Sequence, residues 1–124
     1  MNVVDSSAWL EYFAGGRNAA FFSAAIEDPA RLVVPAIVVF EVFKSLLRQR
    51  GEETALQAVA VLHQGSIVDL DAPLALAAAR LSLDNRLPLA DSLVLATARA
   101  RGAIVWSQDA DFEGLPDVRY RVKR

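Results

Sequence analysis

Leu87-Pro88-Leu89-Ala90-Asp91-Ser92-Leu93-Val94-Leu95-Ala96-Thr97-Ala98 is almost wholly apolar, with a single carboxylate close to its start. Apolar residues run all round the helical wheel of this stretch, so it reads as a core helix rather than a surface one. Pro88 suits the first helical position because its missing N–H would have had no intrahelical partner, and Gly102 can close the far end in a left-handed conformation. Asp91 is then the anomaly. An unpaired carboxylate in a low-dielectric site is costly, so the fold must bring it a partner.

The 124 residues fit one domain spanning 1–124, long enough to bury roughly two-thirds of the surface of the unfolded chain. A hydrophobic share of 54% sets the chain apart from disordered sequences and implies a core-rich fold. No apolar run approaches the roughly 18 residues needed to span a bilayer, and Met1 leads directly into a β-like run without a basic leader. With no cysteine, a reducing cytoplasm is the expected setting, and thiol nucleophiles and Cys-ligated zinc are excluded. A net charge of -2 gives no global attraction to nucleic acid, so any such contact needs a local patch. The basic tail Arg119-Tyr120-Arg121-Val122-Lys123-Arg124 is one candidate, and Arg48 and Arg50 another. Both also read as a solvated edge with helix-dipole compensation.

Outward from the apolar helix, strands alternate with helices. Met1–Asp5 reads as a short buried strand feeding a helix over Ser6–Phe13 that Gly15-Gly16 ends. A second helix from about Asn18 to Glu27 carries Phe21, Phe22 and Ile26. Arg31–Val34 is the second strand, and Pro35 opens a long helix from Ala36 to Arg50 stopped by Gly51. A helix over Glu52–His63, a strand over Ile67–Asp69 and a helix over Asp71–Asp84 precede the apolar one. Gly102–Trp106 is the fourth strand, Ser107–Phe112 a polar loop, and Val118–Val122 a short fifth strand. The alternation implies an α/β fold, a three-layer α/β/α sandwich on a short parallel sheet of four to five strands joined by right-handed crossovers. Ligands of such sheets bind at the carboxyl ends of the strands, where connections part to opposite faces. Asp5, Asp91 and the Ser107-Gln108-Asp109-Ala110-Asp111 loop can all meet there.

Each acid alone has an ordinary role open to it. Asp5 suits a helix cap, Asp91 a first-turn dipole partner, Glu41 an ion pair with Lys44, and Asp109 and Asp111 a loop. Glu41 and Asp91, however, both lie in mainly apolar helices, where acids are rarely buried without a partner. Converging carboxylates repel one another and rise in pKa unless a cation offsets them. All-oxygen ligation suits Mg²⁺ or Mn²⁺, and the chemistry it implies is metal-assisted phosphodiester hydrolysis. Ser6, Ser7 and Ser107 flank the acids and can hold a water or a phosphate, or simply cap and turn the chain. His63 is the only histidine, which excludes a paired-histidine nuclease and a three-histidine zinc site. No nucleophile elbow or phosphate-binding glycine-rich loop is present.

These residues resemble those of PIN-domain proteins, more narrowly the VapC-type toxin ribonucleases of toxin–antitoxin pairs. The resemblance runs through Val3-Val4-Asp5-Ser6-Ser7, Pro35 with Glu41, Leu87-Pro88-Leu89-Ala90-Asp91-Ser92 and Ser107-Gln108-Asp109-Ala110-Asp111-Phe112. It implies that Asp5, Glu41, Asp91 and Asp109 form an acidic quartet holding Mg²⁺ or Mn²⁺, with Asp111 auxiliary. Ser107 stands where that family usually has Thr, and Gln108 where it often has Asn. The resemblance further implies a Mg²⁺-dependent endoribonuclease acting on RNA, a homodimer, and a VapB-like antitoxin. The antitoxin's tail would lie in an apolar groove and send a basic side chain towards the acids. Trp9, Phe13, Phe21 and Phe22 are candidate groove residues, unless they are buried between helices on two sides.

Two other readings compete. A receiver-like signalling domain shares the length and the alternating pattern, with Asp69 or Asp71 as phosphoacceptor. It needs an acid pair after the first strand and a late lysine, whereas Asp5 is followed by Ser6 and the only lysines are Lys44 and Lys123. The other is a catalytically inactive PIN fold that only binds a partner, and against it no acid of the quartet is missing.

Overall fold

The computed structural model describes residues 1–124. Its five strands are β1 (Asn2–Val4), β2 (Leu32–Pro35), β3 (Ser66–Val68), β4 (Ile104–Ser107) and β5 (Val118–Tyr120). Its six α-helices are α1 (Ser6–Ala14), α2 (Ala19–Ile26), α3 (Ala36–Arg50), α4 (Glu52–Leu62), α5 (Ala72–Asn85) and α6 (Leu89–Ala100), with short 3₁₀ turns at Pro29–Arg31 and Ala110–Phe112. The strands form one sheet in the order β3-β2-β1-β4-β5, every neighbouring pair parallel. This is the α/β sandwich that the alternating pattern implied.

Strand order fixes where a site can be. Two successive crossovers carry the chain from β1 to β2 and on to the edge strand β3, and the next, through α5 and α6, returns it to the far side of β1 at β4. Connections leaving β1 and β4 therefore diverge, and the crevice beyond their carboxyl ends is the topological switch point. A receiver-like order would be 2-1-3-4-5, with the third strand inside the sheet. Here β3 is an edge strand, Asp69 and Asp71 are exposed beside it, and Asp71 is spent on capping α5 by accepting from the Leu74 N–H at 2.9 Å.

One cluster of 24 buried residues forms the core, from Val3, Val4, Val33 and Val34 on the strands to Val38, Val42, Leu62, Val94 and Leu95 on the helices. Helix α6 is buried in an unbroken row from Ser92 to Ala98, as its apolar circumference requires. Its boundary differs slightly from expectation. Pro88 is the capping residue, extended at φ -59° and ψ 164°, and the helix begins at Leu89. Gly102, at φ 61°, takes the left-handed turn that carries the chain from α6 into β4. Ser107, expected to start a loop, instead closes β4 and keeps its place in the sheet opposite Tyr120.

Candidate active site

Asp5 is the first residue after β1, and the switch from strand to helix sets its side chain at the N-terminus of α1. Its Oδ1 accepts from the Ala8 N–H at 3.0 Å, and the Ser7 hydroxyl donates to Oδ1 and Oδ2 at 2.9 and 3.1 Å. The Ser107 hydroxyl at the end of β4 donates to Oδ2 at 2.6 Å. Only 2% of Asp5 is exposed. Burial raises its pKa, the bonds from Ser107, Ala8 and Ser7 lower it, and the Asp109 charge raises it further. The outcome is about 6, so hydrogen bonds from three donors do not compensate for lost water.

Asp91 enters from the first turn of α6, half-buried. A helix N-terminus favours a negative charge by itself. Desolvation outweighs that here, and the charge of Asp109, a hydrogen bond shared with Asp111, and the charges of Asp5 and Asp111 add to it, pushing Asp91 up to about 8. Asp109 arrives from the loop after β4. Its N–H donates to the Ser107 hydroxyl oxygen at 2.9 Å and its Oδ1 accepts from the Asp111 N–H at 2.9 Å, so the 3₁₀ turn that follows holds the carboxylate in place. The Ser107 hydroxyl thus links two acids, donating to Asp5 while accepting from the backbone of Asp109.

Carboxylate oxygens of Asp5, Asp91 and Asp109 lie within 4.8 Å of one another. Three acids this close, two of them resisting ionisation, form a site short of positive charge. Hard oxygen donors from rigid elements on one side, with solvent on the other, fit an octahedral divalent cation that retains several waters. Glu41 is not within this trio. It lies half-buried on α3 beside Phe40, Lys44, Ser45 and Arg48, and it is not among the charges that act on Asp91. Asp111 is exposed and reaches the site through Asp91 and Asp109, which makes Asp109 the closer of the two loop acids. The hydroxyls bonded to Asp5 are those of Ser7 and Ser107, while Ser6 sits half-exposed at the start of α1.

The family model described as PIN domain matches residues 3–118. The chain belongs to the PIN domain family. A toxin–antitoxin complex from Klebsiella pneumoniae contains a chain that superposes on this PIN domain with a TM-score of 0.80 at 23% identity, covering 96% of each chain. The VapC20 toxin of Mycobacterium tuberculosis, described as cleaving the sarcin–ricin loop, gives 0.76 at 22% identity over 96% of this chain and 99% of its own. A DNA-bound VapBC from Salmonella typhimurium gives 0.74 at 15% over 98% and 96%. At these identities the likeness establishes the fold. No curated protein matches the sequence.

Two buried polar residues of this PIN domain carry no acid and were not singled out from sequence for what they do. Asn18, 2% exposed, leaves α2 uncapped and instead donates from Nδ2 to Gln108 Oε1 and to the Val122 carbonyl, both at 3.0 Å. Gln108, 5% exposed, extends Nε2 towards the Ser7 carbonyl at 3.4 Å. The loop bearing Asp109 is thereby tied to α1, to the start of α2 and to the C-terminal segment.

The aromatic residues divide. Trp9 and Phe22 are fully buried, the two-sided burial that competed with a groove. Phe21 turns towards Trp106, 5.1 Å between ring centres, and carries the Arg121 guanidinium 4.2 Å above its face. Only Phe13 borders an open apolar groove, a cavity of about 300 Å³ between α1 and the α3–α4 pair whose other walls include Leu10, Leu46, Ala58 and Val61. No helix of the chain is long and apolar enough to cross a membrane.

Proposed function

We propose that this PIN domain is a divalent-metal-dependent endoribonuclease, the toxin of a VapBC-type pair. The observation that carries the reading is the convergence of Asp5, Asp91 and Asp109, from three separate elements, to within 4.8 Å at the switch point of the sheet. In this reading Asp5, Asp91 and Asp109 are the direct ligands of Mg²⁺ or Mn²⁺. Glu41 is the fourth acid, on a helix that packs against α6, and Asp111 is auxiliary. The ion supplies Lewis-acid polarisation of a phosphodiester oxygen and a water acidified enough to ionise near neutral pH.

The chain's own residues then have distinct tasks. Asp5 is immobilised by Ser7, Ser107 and the Ala8 N–H, so it offers a fixed oxygen without rearrangement. Asp91 holds a proton near neutral pH while the site lacks a cation, and gives it up when positive charge arrives. Ser107 keeps the Asp5 and Asp109 segments at constant separation. Ser6, half-exposed and next to Asp5 in the chain, is the auxiliary hydroxyl of this reading.

The relatives include toxin–antitoxin complexes, and a VapB-like antitoxin is the partner we assign. Its apolar segment would occupy the groove bordered by Phe13, Leu46 and Val61, and a Lys or Arg from it would neutralise the acids by charge competition. A homodimer acting in the cytoplasm completes the proposal. Incubating the protein with RNA and Mg²⁺ or Mn²⁺ tests it. The wild type cleaves, EDTA stops cleavage, and the products carry 5′-phosphate and 3′-hydroxyl ends. A 2′,3′-cyclic phosphate, or cleavage unchanged in Asp91→Asn, would refute the assignment. Labelling of Asp69 or Asp71 by acetyl phosphate would instead support the receiver-like alternative.

A further inference from the structure

A second cavity, of about 420 Å³, opens beside the acids and shares Asp109 with them. Its walls are Ser7, Gln108 and Asp109 on one side and Tyr120, Val122 and Lys123 on the other. That volume falls within the roughly 300–1,000 Å³ of small-molecule sites. Its far wall is the C-terminal segment, whose last six residues hold four of the chain's thirteen Lys and Arg.

This basic segment is not a loose tail. Tyr120 pairs in register with Ser107, and the Arg121 N–H donates to the Ser107 carbonyl at 3.0 Å. The buried Asn18 amide holds the Val122 carbonyl while it also holds Gln108. Arg119 and Arg121 are laid over the Trp106 and Phe21 rings, at 5.0 and 4.2 Å, on the face opposite Tyr120. Alternation along the strand therefore sends the Tyr120 side chain to the same face as the Ser107 hydroxyl, which contacts Asp5. Tyr120 and Lys123 thus line a cavity that shares Asp109 with the acid cup.

We propose that this cavity is the subsite for the nucleotide adjoining the scissile phosphate of a single-stranded RNA, with Tyr120 stacking on its base and Lys123 contacting its backbone. The proposal rests on the ribonuclease reading and deepens it. Sequence-tolerant single-strand binding combines a stacking ring with a cation that follows the backbone, and this pair supplies both. A chain threaded here runs from a basic, aromatic wall into the acids, so the phosphate to be cleaved is delivered to the one place where negative charge demands a cation. Asn18 and Gln108 act as positioning residues, holding both walls together.

The test reads RNA binding apart from cleavage. Fluorescence anisotropy follows a fluorescein-labelled single-stranded RNA of about eight nucleotides, a length within the usual span of such sites, with metal-free protein in EDTA at low salt. Tyr120→Leu should bind about tenfold more weakly while Tyr120→Phe binds like wild type, since stacking needs the ring and not the hydroxyl. Lys123→Ala should lower the slope of log affinity against log salt by about 0.7, and Arg99→Ala, at the exposed far end of α6, should leave it unchanged. RNA carrying 4-thiouridine should photocrosslink to Tyr120 or Lys123, a result that does not depend on how Tyr120→Leu folds. Binding equal to wild type in both Tyr120→Leu and Lys123→Ala, or crosslinks confined to other segments, overturns the subsite. So does a defect of these variants confined to capture of a protein partner. A wild type that binds RNA at this cavity yet never cleaves it would defeat the ribonuclease reading and spare the subsite.

Discussion

The Ser107 hydroxyl donates to Asp5 Oδ2 at 2.6 Å across 102 residues of sequence, joining the ends of the two strands between which the chain reverses its direction of crossover. The same oxygen accepts from the Asp109 N–H at 2.9 Å. Removing it leaves a buried carboxylate with one bond fewer and a loop without its anchor. Ser107→Ala should therefore destabilise the protein by about 1.5–3 kcal/mol, the usual range for a hydrogen bond to a charged group, and weaken Mn²⁺ binding. Ser107→Thr, which retains the hydroxyl, should restore both. Urea denaturation and Mn²⁺ titration of the two variants check this, and an unaltered midpoint in Ser107→Ala would show the contact to be dispensable.

Asp91→Asn should abolish metal-dependent cleavage, by at least about 100-fold, because the most strongly perturbed acid of the trio is lost. The fold should survive. In the metal-free protein the substitution should raise the melting temperature at pH 8, since it removes a carboxylate that burial and three neighbouring acids oppose. Cleavage and thermal melts measured on one preparation separate a catalytic loss from an unfolded variant.

Much of this was legible in the residues, and the reasons are local. Asp91 stands out because a carboxylate interrupts a helix apolar on every side, and Asp5 because it follows a buried strand. Their meeting point follows from general rules of strand connection. The Asn18–Gln108 bond was not legible, since it spans 90 residues and neither side chain belongs to a periodic pattern. Phe21 and Phe22 illustrate the same limit. Adjacent helical residues point about 100° apart, and sequence does not say which one is fully buried and which one is left half-buried against Trp106. Glu41 shared with Asp91 the mark of an acid in an apolar helix, yet the trio forms without it, because apolar neighbours report burial of a helix and not the direction of one side chain.

The pH dependence of stability follows from the direction of two shifts. Asp5 and Asp91 both titrate higher in the folded protein, at about 6 and about 8, than the ordinary carboxylate value of 3.8. Between those limits the native state binds more protons than the unfolded one, so metal-free stability should rise as pH falls from about 8 towards 4. Mn²⁺ should flatten the curve and release protons on binding. Melting temperatures across that range in EDTA and in Mn²⁺, with calorimetry in two buffers of different ionisation enthalpy, read both effects. A metal-free curve that falls on acidification through this window in wild type, and equally in Asp91→Asn, would contradict the assignment.

The acids should not be equivalent. Asp109→Asn should approach Asp91→Asn in lost cleavage, as both belong to the close trio. Asp111→Asn should lose less, because Asp111 is exposed and acts through its neighbours. Glu41→Gln should also fall short of Asp91→Asn, since its carboxylate lies outside the trio. Single-turnover cleavage at saturating and limiting Mn²⁺ ranks the four variants, and a Glu41→Gln loss as deep as that of Asp91→Asn would place Glu41 among the direct ligands.

Partner binding and catalysis should separate on the surface. Phe13 borders the apolar groove between α1 and the α3–α4 pair, on a helix whose N-terminus is capped by Asp5. Aromatic anchors that fill an apolar pocket are among the few interface residues whose truncation costs more than about 1 kcal/mol of binding. Phe13 also packs against Trp9, 5.7 Å between ring centres, so Phe13→Ala risks disturbing α1. Val61→Asp, on the α4 wall of the same cavity, places a charge where an apolar partner would have to desolvate it, and a thermal melt checks that the half-buried site tolerates it. With a VapB-like antitoxin co-expressed, Val61→Asp should lose the complex while the isolated variant still cleaves RNA at the wild-type rate. Retention of the complex by both variants would move the partner to another face, whereas loss of cleavage in Val61→Asp would show that the groove and the acids are mechanically coupled.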